Sequence, residues 1–160
     1  MCAQAFEEVM AGGPQCREEV EGVKVVLDDA VLHEDAIHRG PAQVIPAVKD
    51  AIIQAFMSAD PILLEPIQII RIDVPPEYAS AIATLIQSKR GEVESMSEEL
   101  GNEVIIAKIP VAEAFNLADE IRSASEGKGS FSLVGEELRR LPPQLYQQVV
   151  KEIRERKGLA

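Results

Sequence analysis

Four apolar residues in a row, Val104-Ile105-Ile106-Ala107, constrain this chain more than any other feature. A strand with one wet face alternates apolar and polar side chains. An unbroken apolar run of β-formers needs cover on both faces, as an interior strand has. Gly101-Asn102 just ahead of it supplies turn chemistry, so residues 91–97 and 103–109 read as a hairpin. Upstream, Ile67–Val74 reads as a strand, and Pro76 opens a helix with Tyr78, Ile82, Leu85 and Ile86 on one face. Lys89-Arg90-Gly91 ends that helix. Downstream, Val111–Ser123 reads as a second helix with Phe115, Ala118 and Ile121 inward, and Ser130–Val134 as a last strand.

The resulting order is βαββαβ. Two helices on one face of a four-stranded antiparallel sheet is the ferredoxin-like arrangement, so the fold class is α+β. Two prolines in six residues, at Asp60-Pro61 and Glu65-Pro66, punctuate the chain ahead of this pattern. Charge changes there too: residues 1–65 hold 4 basic and 12 acidic side chains, residues 66–160 hold 12 and 15. A domain boundary is expected at that point, and Pro142-Pro143 isolates a terminal segment.

The first 65 residues read as a smaller βα unit. Phe6, Val9 and Met10 sit at helical spacing, and Gly12-Gly13-Pro14 stops that helix. Residues 22–32 read as a strand with Val23, Val25 and Leu27 on one face. The polar stretch 33–40 follows. Of the two prolines ahead of the next helix, Pro46 is the expected first-turn residue, since an interior proline removes a hydrogen bond. That helix should run to about Ala59 with a wide apolar stripe of Val48, Ile52, Ile53, Phe56 and Met57, central to its domain. Residues 144–157 form a final helix with Leu145, Val149 and Ile153 on a stripe and Gly158 as its cap.

Composition narrows the function classes. A net charge of −11 excludes a basic, sequence-independent grip on phosphates, which needs clustered Lys and Arg. No apolar run approaches the roughly 20 residues of a membrane span, and the acidic first 20 residues are not a signal peptide. Cys2 and Cys16 make neither a zinc pattern nor a disulfide framework. A cytoplasmic protein without a membrane partner is expected.

The only two histidines, His33 and His38, share one loop. Their spacing misses the His-Glu-x-x-His of a metalloprotease helix, and Gly40-Pro41 makes the stretch a loop, so no metal site is expected. An acid/base pairing of either histidine with Asp28, Asp29, Glu34 or Asp35 lacks a nucleophile and an oxyanion hole. Glu126-Gly127-Lys128-Gly129-Ser130 fails the phosphate-loop pattern, with Arg122 where the first glycine belongs and Gly129 where Ser or Thr does. What remains is the loop itself: a histidine, an arginine and a glycine at a tip between a strand and a proline-started helix, the kind of place a scaffold projects into a partner.

Residues 32–43, Leu-His-Glu-Asp-Ala-Ile-His-Arg-Gly-Pro-Ala-Gln, closely resemble the domain IV tip of the elongation factor 2 family of archaea and eukaryotes, with an archaeal Gly-Pro-Ala-Gln continuation. The likeness runs on through residues 22–27, 59–66, 89–91, 109–113 and 153–159 in the family's order. It implies a chain comprising the latter part of domain IV (residues 1–65, a βα unit like the second domain of ribosomal protein S5), the ferredoxin-like domain V (66–137), and a returning helix (138–160) packed on domain IV. By the resemblance, His38 is the histidine converted to diphthamide, by dedicated synthesis enzymes, and His33 is structural. The same likeness makes His38, Arg39 and Gly40 the contact to tRNA, rRNA and mRNA at the ribosomal decoding site.

The resemblance further implies that the parent is a GTP-dependent translocase whose GTP and Mg sites lie in domains upstream of this chain. This chain would then hold no cofactor and catalyse nothing. The family's aromatic residues after the second domain V helix are replaced here by residues 129–135, Gly-Ser-Phe-Ser-Leu-Val-Gly, which suggests a displaced or shortened last strand. The acidic body fits a domain that mimics the shape of tRNA and confines contact to its tip. Without the family's first domain IV strands, residues 1–65 should expose apolar surface or a bare strand edge, a route to dimerisation. Two other classes stay open from sequence: a free-standing enzyme using His33 and His38 with Asp28 or Asp29, and a ferredoxin-like binding module.

Overall fold

The computed structural model describes residues 1–159. They divide into two compact units, Leu63–Leu141 and the pair of segments Met1–Ile62 with Pro142 onward.

The Leu63–Leu141 unit is the βαββαβ fold. Strands β1 (Leu64–Val74), β2 (Glu92–Glu99), β3 (Asn102–Pro110) and β4 (Ser130–Arg140) form one antiparallel sheet in the order β2-β3-β1-β4. The helix of residues Ala79–Ser88, preceded by a 3-10 turn from Pro76, and that of Leu117–Ala124 join the strands. Ile82, Ile86, Leu117 and Ile121 of the helices pack on Ile70, Ile72, Val74, Ile105, Ala107 and Ile109 of the sheet. Isoleucine dominates this core because β-branched side chains suit a pleated surface and tolerate helices.

The other face of the sheet is covered by ion pairs. Lys108 Nζ lies 2.7 Å from Glu94 and 3.1 Å from Glu137, and Arg71 lies 2.7 Å from Asp73 and 2.9 Å from Glu99. So the interior run is covered by helices on one side and by charged side-chain stems on the other: Val104, Ile105 and Ala107 are buried while Ile106 is half-buried.

Two expectations for this unit change. The last strand is long, running eleven residues, and pairs with β1 from Leu64↔Arg140 to Asp73↔Ser130. An extra residue at Val134 is absorbed as a bulge between the Ile69↔Gly135 and Ile70↔Leu133 pairs, so the Gly- and Ser-rich sequence holds wherever β1 offers backbone partners. Phe115 does not point inward but is 94% exposed. A 3-10 turn at Val111–Glu113 breaks off before the α-helix starts at Leu117, which shifts the helical phase and puts Leu117 in the core.

The second unit holds three helices, Cys2–Ala11, Pro41–Ser58 and Pro143–Lys157. Ala5, Val9 and Ile52 are buried, and Lys49 pairs with Glu8 at 2.9 Å. The terminal helix is tied down by charge: Arg154 Nη1 donates to the Gln15 carbonyl at 2.9 Å, and Lys157 Nζ donates to Cys16 and Arg17 carbonyls at 3.2 and 2.7 Å. Gly158, at φ 65°, takes the left-handed cap that closes it.

Here too the structure corrects the reading. Pro41, not Pro46, occupies the first turn, and Pro46 lies inside the helix. Gly40 O accepts from Gln43 and Val44 amides at 3.1 and 3.0 Å, which starts the helix early; Pro46 then leaves only one carbonyl, that of Ala42, without its helical donor. Of the expected stripe only Ile52 is buried; Val48, Ile53 and Phe56 are half-buried and Met57 is exposed. Residues 22–32 form no strand, because no second strand among the described residues of this unit pairs with them. Their apolar side chains stand in solvent, Val26 at 68%, Leu27 at 66% and Val31 at 95% exposure.

Candidate functional site

The histidine loop lies between that segment and the Pro41 helix, and residues 33–39 are exposed throughout. Its shape comes from its own short-range bonds. The Asp35 carboxylate accepts from the Ile37 amide at 3.1 Å and caps a single 3-10 turn, Ala36–His38. Aspartate does this readily because its short side chain reaches the amide two residues on. The His38 amide donates to Asp35 O at 3.2 Å and the Arg39 amide to Ala36 O at 3.1 Å.

His33 joins the same turn. Its Nδ1 accepts from the Asp35 amide at 3.0 Å, so the ring proton sits on Nε2. The two imidazoles meet edge to face, with centroids 4.7 Å apart and planes at 66°. Arg39 folds back over the loop: Nε donates to His33 O and Nη2 to Glu34 O at 2.7 Å. Gly40, extended at φ −76° and ψ 165°, passes the chain into the helix. A Cβ there would sit 3.1 Å from Gln43 Oε1.

Of the residues the sequence singled out, His38 ends the capped turn, Arg39 is its C-cap and Gly40 is the N-cap of the following helix. Sequence reasoning weighed Asp35 only as an acid/base partner of a histidine and missed its capping role, although an aspartate two residues before Ile37 is a recognisable turn signal. Asp28 and Asp29 are exposed; Asp29 spends an oxygen on the Ala30 amide at 2.7 Å. Among the described residues no hydrogen bond or ion pair links either aspartate to a histidine, and no three metal-ligating side chains cluster. Around the loop the electrostatics are acidic: residues 18–40 hold seven carboxylates against Lys24 and Arg39.

In the glycine-rich loop, Lys128 Nζ donates to the Tyr78 hydroxyl at 3.0 Å, which raises the lysine's pKa. No helix among the described residues is long and apolar enough to cross a membrane.

Comparison with known proteins follows the two units. Residues 1–60 match the family model for elongation factor G, domain IV, and residues 62–149 that for the elongation factor G C-terminus. The chain is 47% identical over 156 residues to elongation factor 2 of Methanopyrus kandleri, covering 98% of this chain and 12% of the relative. It is 46% identical over 159 residues to that of Nanoarchaeum equitans and 49% over 157 residues to that of Thermoplasma volcanium. Those matches cover 99% and 98% of this chain, and 21% of each relative, so the chain spans about a fifth of their length or less. Both matched parts, domain IV and the C-terminus, agree with the mixed helix-and-sheet architecture, and the chain belongs to the elongation factor 2 family of translation elongation factors.

Proposed function

We propose that this chain serves as the tip-bearing C-terminal portion of a GTP-dependent ribosomal translocase, with His38 as the side chain modified to diphthamide. The supporting observation is the exposed imidazole of His38 on a capped turn in a chain of this family. Modification of a ring carbon needs an imidazole that an enzyme can reach, and His38 has one. The GTP and Mg sites belong to upstream domains, and this portion performs no bond chemistry of its own.

In this reading the loop enters the decoding site during translocation. His38, Arg39 and Gly40 contact the tRNA backbone, rRNA and mRNA there and favour one ribosomal state by differential contacts. Arg39 keeps donors for such a contact, because a guanidinium has five N–H groups and the loop uses two. An acidic body suits this role if contact is confined to the tip, since phosphates are repelled elsewhere and register is set by one arginine. Domain V then acts as a packing and ribosome-contact module. The cytoplasm is the compartment this work requires.

Two measurements test the proposal. The intact mass of the chain purified from its own source should show the diphthamide increment on His38; an unmodified histidine there would refute that part. In the full-length factor, Arg39→Ala should slow translocation with GTP hydrolysis intact, and unchanged translocation would remove the tip contact.

A further inference from the structure

We infer that Arg39 is a positioning residue for His38, a clamp that ties both ends of the loop together independently of any contact it makes to RNA. The inference deepens the reading above and rests on His38 as the functional side chain. Its basis is the direction of the guanidinium. Nε and Nη2, two donors of one rigid plane, are spent on consecutive carbonyls, His33 O and Glu34 O, six and five residues back along the chain. A planar fork with donors in fixed geometry holds two acceptors at once in a way a single ammonium cannot.

Those carbonyls flank the structure that orients the imidazole. Glu34 leads into the Asp35 cap, and His33 supplies both the acceptor for the Asp35 amide and the ring against which His38 packs. Fixing the carbonyls of His33 and Glu34 therefore fixes the His33 ring, and the His33 ring limits where His38 can turn. The Asp35 cap and the backbone bonds of the turn hold residues 35–39, and among the described residues the Arg39 fork is the side chain that ties this turn back to the carbonyls of His33 and Glu34, in a stretch, 33–39, that is exposed throughout. An exposed seven-residue loop without such a clamp would sample many states, and a modifying enzyme or a partner would meet the required one only part of the time.

Two variants of this chain separate the clamp from a simple positive charge. Arg39→Lys keeps the charge and loses the fork; Arg39→Ala loses both. In the unmodified chain, proton NMR should show close contacts between the His33 and His38 rings and a sharp Arg39 Nε–H resonance protected from exchange. Both variants should lose the ring-to-ring contacts while the core isoleucine signals stay in place, which shows that the fold survives.

With the modifying enzymes of the source organism, both variants should be converted at His38 about tenfold or more slowly than wild type, the scale expected of a misplaced reacting group. The Lys variant should recover little. Ring contacts that persist in Arg39→Ala would overturn the inference, as would wild-type conversion of Arg39→Lys. If wild type itself is never converted, the diphthamide reading fails, and the ring contacts still decide the clamp.

Discussion

Arg90 holds Glu65 in a two-pronged pair, Nη1 3.1 Å from Oε1 and Nη2 2.9 Å from Oε2. Nε of the same guanidinium reaches Glu113 at 3.0 Å. One side chain thus joins the start of the first strand, the end of the first helix and the turn before the second. The Glu65 side chain is only 11% exposed, so removing its partner strands a carboxylate that water reaches poorly. Arg90→Met should destabilise this unit by about 1–3 kcal/mol, and Arg90→Lys should restore less than half of that. Denaturant unfolding followed through Tyr78, the one tyrosine of this unit, measures it.

Gly91, next in sequence, faces a steric limit. A Cβ there would lie 2.6 Å from Ile86 Cγ2, 2.7 Å from Ile86 O and 3.0 Å from Lys108 O. Two of those three atoms are backbone and cannot step aside. Gly91→Ala should therefore cost about 1–3 kcal/mol, as overpacking does. Gly101→Ala meets open space but a φ of +82°, and should cost about 1–2 kcal/mol through backbone conformation alone. Thermal melts of both variants, followed by far-UV circular dichroism, measure the two costs, the steric one at Gly91 and the conformational one at Gly101.

These two residues show how legibility divides. Lys89-Arg90-Gly91 reads in sequence as a helix end, and it is one. That Arg90 would meet Glu65, itself read as boundary punctuation, depends on a crossing of strand and helix that no local pattern encodes. The same holds at the candidate site. The histidine loop stands out by its residue types and its family likeness, while Arg39's folding back onto carbonyls depends on side-chain geometry. The strand and helix order was legible because periodicity is a local property. The readings of Phe115 and Pro46 differ from the structure because each depends on where a helix begins, at Leu117 and at Pro41, and that start is decided by turns and caps that periodicity does not see.

The Lys108 ammonium beside Glu137 holds that carboxyl below its ordinary value of 4.5. The sign follows directly. A carboxyl depressed in the folded state adds stability above its unfolded value, and that stability disappears as pH falls through the folded value. Unfolding of the sheet unit should therefore become easier below about pH 4.5. Lys108→Met should flatten that acid limb, and urea midpoints at pH 6, 4 and 3 test it. A steep acid limb surviving in the variant would mean that other carboxylates dominate.

Burial pushes the Cys16 thiol above its usual pKa, whereas Cys2 is exposed. A thiol reagent at pH 8 should label Cys2 at once and Cys16 only slowly, since the thiolate is the reactive form. Lys157→Ala removes the bonds to the Cys16 and Arg17 carbonyls and the 2.7 Å pair with Glu18. Labelling of Cys16, read by mass spectrometry, should then accelerate about tenfold, reporting the release of the terminal helix. Equal rates in the two proteins would show that Lys157 is not what holds the helix in place.

Residues 21–32 carry no regular structure, with valines and leucines turned to water and without ladder bonds to a second strand among the described residues. Water must serve as hydrogen-bond partner for this stretch, and it can be displaced by any chain able to lie alongside in register. The segment therefore behaves as half of a zipper. Whatever supplies the other half, a neighbouring strand or a second molecule at high concentration, also stiffens the root of the histidine loop, because the stretch leads directly into His33.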